Sequence, residues 1–166
     1  MRRRTPQTPP RQRVLALLKK ELIMNTSYSA LRAQSGPLVL RLALGIVFLA
    51  HAYAKAFSFT FAGTEAFFRA NGFPGWTVYP VFVAELLGGL ALVLGVRTRV
   101  VALALIPVML GALRVHLGNG WMFTSTGGGW EYPLFLIVAL GAQGLLGAGA
   151  YSFDALPTSR HKAVAA

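Results

Sequence analysis

The sequence has no cysteine and only five acidic residues among its 166 positions. The missing cysteines exclude disulfides, thiolate metal ligands and thiol–disulfide chemistry performed by this chain itself. Charged residues make up 13% and hydrophobic residues 55%, which is too apolar for disorder and unlike an ordinary water-soluble domain. A net charge of +11 would by itself indicate nucleic acid binding. In so apolar a chain it indicates a membrane first, and we expect no nucleic-acid partner.

Four apolar stretches each approach the roughly 20 residues that a helix needs to cross a hydrocarbon core. Because lipid offers no hydrogen-bond partners, such segments must be helices or barrel strands, and the alternation typical of barrel strands is absent. Small residues such as Gly88, Gly89 and Gly144 would allow close helix approach. We therefore predict an all-α protein, a transmembrane four-helix bundle in contact with the lipid bilayer. The predicted spans cover residues 38–57, 78–96, 100–117 and 132–150.

Basic residues alternate between the connections of these spans. Lys and Arg are frequent before the first span, recur in the short turn at Arg97 and Arg99, and follow the fourth span at Arg160 and Lys162. The segment Gly118–Gly129 has none, and the other long connection balances one arginine against one glutamate. The positive-inside rule then predicts that both termini are cytoplasmic. All three tryptophans lie in or beside the two connections predicted to be outside, as an interfacial aromatic belt would have them.

Composition divides the chain into three parts. Residues 1–35 are predicted to be a basic cytoplasmic segment, residues 36–155 the four-helix domain, and residues 156–166 a cytoplasmic tail.

The start of the basic segment has three interpretations. A secretory signal is disfavoured because the apolar run is short and no cleavage site follows. An interfacial helix would place Leu15, Leu18 and Leu22 on one face beside cations. We favour the third, in which residues 1–23 are not translated. In that case the codons of Lys19-Lys20-Glu21 form a purine-rich ribosome-binding site, and Met24 is the start.

Ionisable side chains inside membrane spans are costly and therefore mark candidate functional sites. Arg41 lies near the predicted cytoplasmic end of the first span, so we expect it to reach the headgroups as an anchor. His51 and Lys55 are four residues apart and share a helix face. Glu85 lies at the depth of His51, each about 10 Å from the outer end by the helix rise. The predicted polar layer in the outer half consists of His51, Lys55, Glu85, Arg114, His116 and Glu131.

Glu85 is the most informative member of this layer, because a carboxylate at that depth must be protonated, paired or hydrated. Lys55 and Arg114 are candidate ion-pair partners, and His51 is a candidate hydrogen-bond partner. One interpretation is a charge network that only sets helix register. The other is a pocket open to the outer face, where cations bind an anion and Glu85 and His51 move protons. A haem is disfavoured because His51 and His116 differ in depth, and zinc because no compact ligand cluster occurs.

Short motifs follow one another in a set order along the chain. The first span reads Arg41-x-x-x-Gly45-x-x-Phe48-x-x-His51-Ala-x-x-Lys55, and the second Glu85-x-x-Gly88-Gly89. His116 lies in the third, the fourth opens Trp130-Glu131-Tyr132-Pro133, and the end reads Gly147-Ala-Gly149-x-x-Ser152-x-Asp154. Together they resemble the DoxX family of small bacterial and archaeal membrane proteins. Ala52 and Ala148 depart from the glycine and Gly-Pro-Gly usual there, which affects packing only.

The resemblance implies a multi-pass protein of the bacterial inner membrane. Some relatives are linked to thiosulfate:quinone oxidoreductase and others to redox-stress complexes, so we expect a membrane subunit of a redox or quinone-linked pathway. Without cysteine it would act through a quinone, an anion site or a partner redox protein, with no covalently bound cofactor. The expected site residues are Glu85 and His51 as proton-handling groups, Lys55 and Arg114 as anion or quinone-oxygen binders, and His116, Trp130 and Glu131 as the rim.

The family does not transfer an activity, so other roles stay open. The main alternative is a non-enzymatic scaffold or assembly factor that docks a partner protein through its outer loops. A small-molecule transporter is less favoured, because four short spans are few for a monomer. Whether the protein is an enzyme, and whether it forms a homo-oligomer, are not decided by the sequence.

Overall fold

The computed structural model describes residues 10–155, and the regular structure in that range is entirely helical. A π-helical turn, Ala54–Ser58, continues the first helix, and short 3-10 turns lie between the longer elements. The predicted cytoplasmic tail lies outside the described residues, as does the beginning of the segment predicted to be untranslated. The α-helices are α1 Pro10–Tyr53, α2 Thr60–Ala70, α3 Val78–Leu94, α4 Thr98–His116 and α5 Glu131–Leu146.

Three helical stretches are long and apolar enough to cross a membrane: Ala33–Ser58, Gly75–Leu94 and Thr98–Asn119. They agree with the first three predicted spans. α5 is apolar but has 16 residues, a length of about 24 Å at 1.5 Å per residue. The prediction that this span continues to Ala150 is wrong, because Gly147 adopts a φ of +86° and ends the helix. The all-α bundle itself is confirmed.

The four long helices form a ring in which each packs against two neighbours. α1 packs on α3 and α5, and α4 packs on the same two helices. The core between them includes Phe48, Leu92, Leu105 and Leu140. Because lipid is as apolar as these side chains, they stabilise the bundle through van der Waals packing more than through removal from water.

Glycines set the distance between neighbouring helices. A Cβ on Gly45 of α1 would lie 2.8 Å from the carbonyl oxygen of Gly89, and one on Gly89 would lie 2.9 Å from that of Gly45. The two backbones therefore touch, as small residues permit. Gly88 and Gly144 instead accommodate leucine side chains of α4. The predicted contact role of Gly88, Gly89 and Gly144 is confirmed, whereas Gly45 is an additional contact.

The connection between α1 and α3 contains a helix of its own, α2. Thr60 has a φ of +60° at the point where the chain leaves the π-helical turn and α2 begins. Phe61 of α2 packs on Tyr79 of α3 with ring centroids 5.5 Å apart, and Glu65 accepts the Tyr79 hydroxyl at 2.9 Å. These contacts fasten α2 to α3. The end of the bundle formed by residues 54–77 and 117–130 is called the loop end below.

The opposite end, called the turn end, is formed by residues 95–97 and 147–155. Here the carboxylate of Asp154 accepts the backbone N–H of Arg97 at 2.7 Å and of Thr98 at 2.9 Å. It therefore caps the N-terminus of α4 from a position more than fifty residues away in the chain, and it adds a negative charge where the helix dipole favours one.

Arg41 also belongs to the turn end. Its side chain is 1% exposed, and Nη2 donates to the carbonyl oxygens of Ala150 at 3.3 Å and Tyr151 at 3.0 Å. The expectation that Arg41 is an anchor reaching the headgroups is wrong. The carbonyls freed after the end of α5 offer acceptors inside the protein, so the guanidinium stays there.

We expect Asp154→Ala to lower the free energy of unfolding by about 1–2 kcal/mol, the usual cost of removing a helix cap. Asp154→Asn keeps one side-chain oxygen as acceptor and should lose less. Both can be measured by SDS titration of the detergent-solubilised protein. Equal stability of Asp154→Ala and the unaltered protein would show that the cap contributes nothing.

Candidate functional site

A cavity of about 840 Å³ lies at the loop end, within the size range of small-molecule sites. Its wall takes residues from α1, the π-helical turn, α2, α3, α4 and α5. Most of the wall is apolar and rich in phenylalanine. The charged or imidazole side chains on the wall are His51, Lys55, Glu85 and His116.

An ion pair between Lys55 and Glu85 lies in this wall. Lys55 Nζ is 2.8 Å from Glu85 Oε1, and Glu85 is 1% exposed. Lys55 is carried by the π-helical turn, an element often found at functional sites. The sequence offered Lys55 and Arg114 as ion-pair partners of Glu85. The pairing with Lys55 is confirmed, and Arg114 does not pair with Glu85. The second carboxylate oxygen, Oε2, is buried and has no hydrogen-bond partner among the described residues.

His51 lies one helical turn before Lys55 on α1. Its Nδ1 is 2.8 Å from the carbonyl oxygen of Val47, so this nitrogen bonds within α1 and not to Glu85. The ring lies nearly parallel to that of Tyr132, with centroids 6.2 Å apart and an interplanar angle of 19°. The predicted pairing of His51 with Glu85 by a hydrogen bond is therefore not observed, although both side chains line the same cavity.

His116 is the last residue of α4 and also lines the cavity. Its Nδ1 lies 3.0 Å from the carbonyl oxygens of both Gly127 and Gly128. Asn119 donates to the same two carbonyls at 3.0 Å. The glycine-rich stretch before α5 is thus held over the end of α4, and it orients the imidazole.

Arg114, Trp130 and Glu131 do not belong to the cavity wall described above. The Arg114 guanidinium lies over the Phe73 ring, 4.8 Å from its centroid. Trp130 packs edge-to-face on Trp121 with centroids 4.4 Å apart. Glu131 Oε1 accepts the backbone N–H of Phe123 at 2.6 Å. The structure brings all three to the loop end, where they hold the loops around the cavity.

The aromatic part of the wall is what sequence reasoning missed. Phe59, Phe67, Phe68, Phe73 and Tyr132 line the cavity. The signal available was the density of phenylalanine between the first two predicted spans. Among residues 10–155, no three His, Asp or Glu side chains are close enough together to hold a metal ion.

Comparison with known proteins identifies the family. The DoxX family model matches residues 36–118. The chain is 34% identical over 131 residues to "Inner membrane protein YqjF" of Escherichia coli K12, a match that covers 73% of this chain and 91% of that protein. The chain belongs to the DoxX family. This DoxX protein is therefore a multi-pass protein of the bacterial inner membrane.

A second relative of this DoxX protein carries an enzyme name. The chain is 32% identical over 90 residues to "Putative oxidoreductase CatD" of Bacillus subtilis strain 168. That match covers 54% of this chain and 62% of the relative, so the chain spans less than two thirds of the relative's length. No solved structure matches the chain. The DoxX match at residues 36–118 includes His51, Lys55, Glu85 and His116, and it ends before Trp130 and Glu131.

Proposed function

We propose that this DoxX protein is a membrane subunit of a quinone-linked redox pathway, and that the quinone exchanges protons in the loop-end cavity. The observation that carries the proposal is Glu85 Oε2, a buried carboxylate oxygen on the wall of a largely apolar cavity, which has no hydrogen-bond partner among residues 10–155. Such an oxygen is costly to leave unpaired, so a ligand that brings a hydrogen to it is favoured, as a quinone does through its hydroxyl groups when it is reduced. The oxidoreductase name of the Bacillus relative agrees with this chemistry.

The wall suits a ring with a few polar substituents. Small-molecule sites are mostly apolar, with a small number of placed polar groups. Phe67, Phe68 and Phe73 supply faces and edges against which an aromatic or quinonoid ring can pack. Lys55 and Glu85 lie among them as the polar pair. The residues present therefore fit a quinone head group.

The proton chemistry would be carried by side chains of this chain. A bound quinone supplies a two-electron, two-proton couple whose electrons a partner redox protein gives or takes. Glu85 accepts or returns a proton at Oε2, while Lys55 stays on Oε1 and keeps the carboxylate in place. The Lys55 ammonium has three N–H donors and uses one on Glu85, so it can also donate to a ligand oxygen. His51 is the second group able to hold a proton near the same cavity.

Filling the cavity tests the proposal. Gly111 lines the cavity, and a Cβ there would meet no atom within 4 Å. We expect Gly111→Leu to fold normally and to weaken binding of a short-chain ubiquinone to the purified protein by about tenfold or more, equivalent to about 1.4 kcal/mol. Binding is measured by equilibrium dialysis in detergent.

The matched control is Gly141→Leu on α5. This glycine also has nothing within 4 Å of its Cβ position, but it does not line the cavity. It should leave quinone binding unchanged. If Gly111→Leu bound the quinone as tightly as Gly141→Leu does, the cavity would not be the quinone site.

A scaffold or assembly factor is the second candidate function. It is favoured by the exposed triplet Trp121, Met122 and Phe123 in the loop between α4 and α5. The same Gly111→Leu variant separates the two functions, because a scaffold keeps its partner when the cavity is filled.

A further inference from the structure

The two histidines that line the cavity both place Nδ1 against backbone carbonyl oxygens. Nδ1 of His51 faces the carbonyl oxygen of Val47, and Nδ1 of His116 faces those of Gly127 and Gly128. A carbonyl oxygen can only accept, so in both rings Nδ1 carries the hydrogen and donates. The neutral ring then presents Nε2 as a lone pair. Within residues 10–155, neither Nε2 atom has a hydrogen-bond partner.

Other polar groups of the wall also present acceptors. Glu85 Oε2 is a carboxylate oxygen with no hydrogen-bond partner in the described part of the chain. The Thr64 hydroxyl donates to the carbonyl of Thr60 at 2.9 Å, and the Thr77 hydroxyl donates to that of Pro74 at 2.6 Å. Both hydroxyl hydrogens are used, which leaves the oxygens to accept.

Donors are fewer on the same wall. Lys55 is the cation there, and one of its N–H groups is on Glu85. The hydroxyls of Ser58 and Tyr132 can act in either direction. The wall therefore offers lone pairs from α1, α2, α3 and α4 and one charged donor from the π-helical turn.

We propose that the cavity selects its ligand in the reduced, hydroxyl-bearing form: a small aromatic diol such as a quinol, in preference to the quinone. This inference rests on the function proposed above and names the redox state that the site holds. A quinol has two O–H donors for Glu85 Oε2 and the histidine Nε2 atoms, and its oxygens still accept from Lys55. A quinone has only acceptors, which would face the acceptors of the wall without a hydrogen between them.

The experiment compares three probes of nearly equal shape: duroquinol, duroquinone and the dimethyl ether of duroquinol. Binding is measured by equilibrium dialysis of the full-length protein in detergent without oxygen. Duroquinol should bind about tenfold or more tightly than duroquinone, as one to two additional hydrogen bonds would give. The ether has no O–H donor and should bind no more tightly than duroquinone.

Two variants locate the preference. His116→Phe keeps an aromatic ring but removes Nε2, and Glu85→Gln keeps the side-chain shape while turning one oxygen into an N–H donor. Each should lower the ratio of duroquinol affinity to duroquinone affinity several-fold, because each removes an acceptor that only duroquinol can donate to. Thermal unfolding in the same detergent identifies a variant that has lost its fold, and the other variant then decides.

The outcomes distinguish this inference from the proposed function. Equal or tighter binding of duroquinone, abolished by Gly111→Leu, would overturn the preference for the reduced form and leave the quinone site standing. Binding of none of the three probes, or binding that Gly111→Leu does not change, would overturn both.

Discussion

Lys55→Met is expected to destabilise the bundle by about 3–5 kcal/mol, because it removes one partner of a buried ion pair and leaves the other charged. The remaining Glu85 carboxylate would be 1% exposed in a largely apolar wall, with Oε1 unpaired as well as Oε2. The double variant Lys55→Met with Glu85→Leu is expected to recover most of the lost stability, since replacing both members of a buried pair by apolar residues is often neutral. SDS titration of the purified proteins measures both effects.

An exposed ion pair on the same chain provides the control. Glu65 and Arg69 are four residues apart on α2 with a contact of 2.6 Å, and the Arg69 side chain is 62% exposed. Arg69→Met should therefore change the unfolding free energy by less than about 1 kcal/mol. If Lys55→Met lowered the unfolding free energy by no more than Arg69→Met does, the Lys55–Glu85 pair would be hydrated and would contribute as little as a surface pair.

The double variant also separates the two roles considered for the pair. If it is stable but no longer binds a quinone, the pair belongs to the site. If it is stable and binds a quinone as before, the pair serves only to set the register of α1 against α3. A double variant that fails to accumulate would show that register cannot be set by apolar packing alone.

Gly95→Ala is expected to lower stability by about 2–4 kcal/mol, from left-handed backbone strain together with overpacking. Gly95 ends α3 with a φ of +73°, and its added Cβ would overlap Arg41 Nη1 and the Cβ of Ser152. The buried guanidinium cannot move aside easily, since Nη2 is held by two carbonyls at the turn end. Thermal unfolding in detergent, converted through a matched SDS titration, measures the loss.

Gly72→Ala separates the two causes. Gly72 has a similar φ of +79°, but a Cβ there would lie 3.7 Å from its nearest neighbour, Arg114 Nη2. It should therefore show the backbone strain alone, about 1–2 kcal/mol. If Gly72→Ala and Gly95→Ala were equally destabilising, Arg41 would not be packed against Gly95 as the structure has it.

Part of the site followed from helical geometry. The four-residue spacing of His51 and Lys55 puts both on one face, and the helix rise puts Glu85 at a matching depth on the next span. These are properties of single helices, so the sequence was sufficient for them. The DoxX resemblance, based on the order of short motifs, was likewise confirmed by the family match.

Other parts of the site depended on long-range contacts. Arg114 had the charge and depth to pair with Glu85, but its guanidinium lies on Phe73. The phenylalanines of α2 line a cavity because Phe61 and Glu65 fasten that helix to α3, which no local pattern indicates.

The amino-acid sequence was enough to show that this protein is a helical bundle in a membrane, because unpaired backbone groups are costly in lipid and the alternation of barrel strands is absent. It also determined which charges the bundle must accommodate. How these charges are accommodated depends on contacts between distant segments. Arg41 bonds to carbonyls 109 and 110 residues away, and Asp154 caps a helix that begins 56 residues earlier. A buried charge bonds to whichever partner the packing brings within hydrogen-bond distance, and the packing of distant segments cannot be read from local spacing.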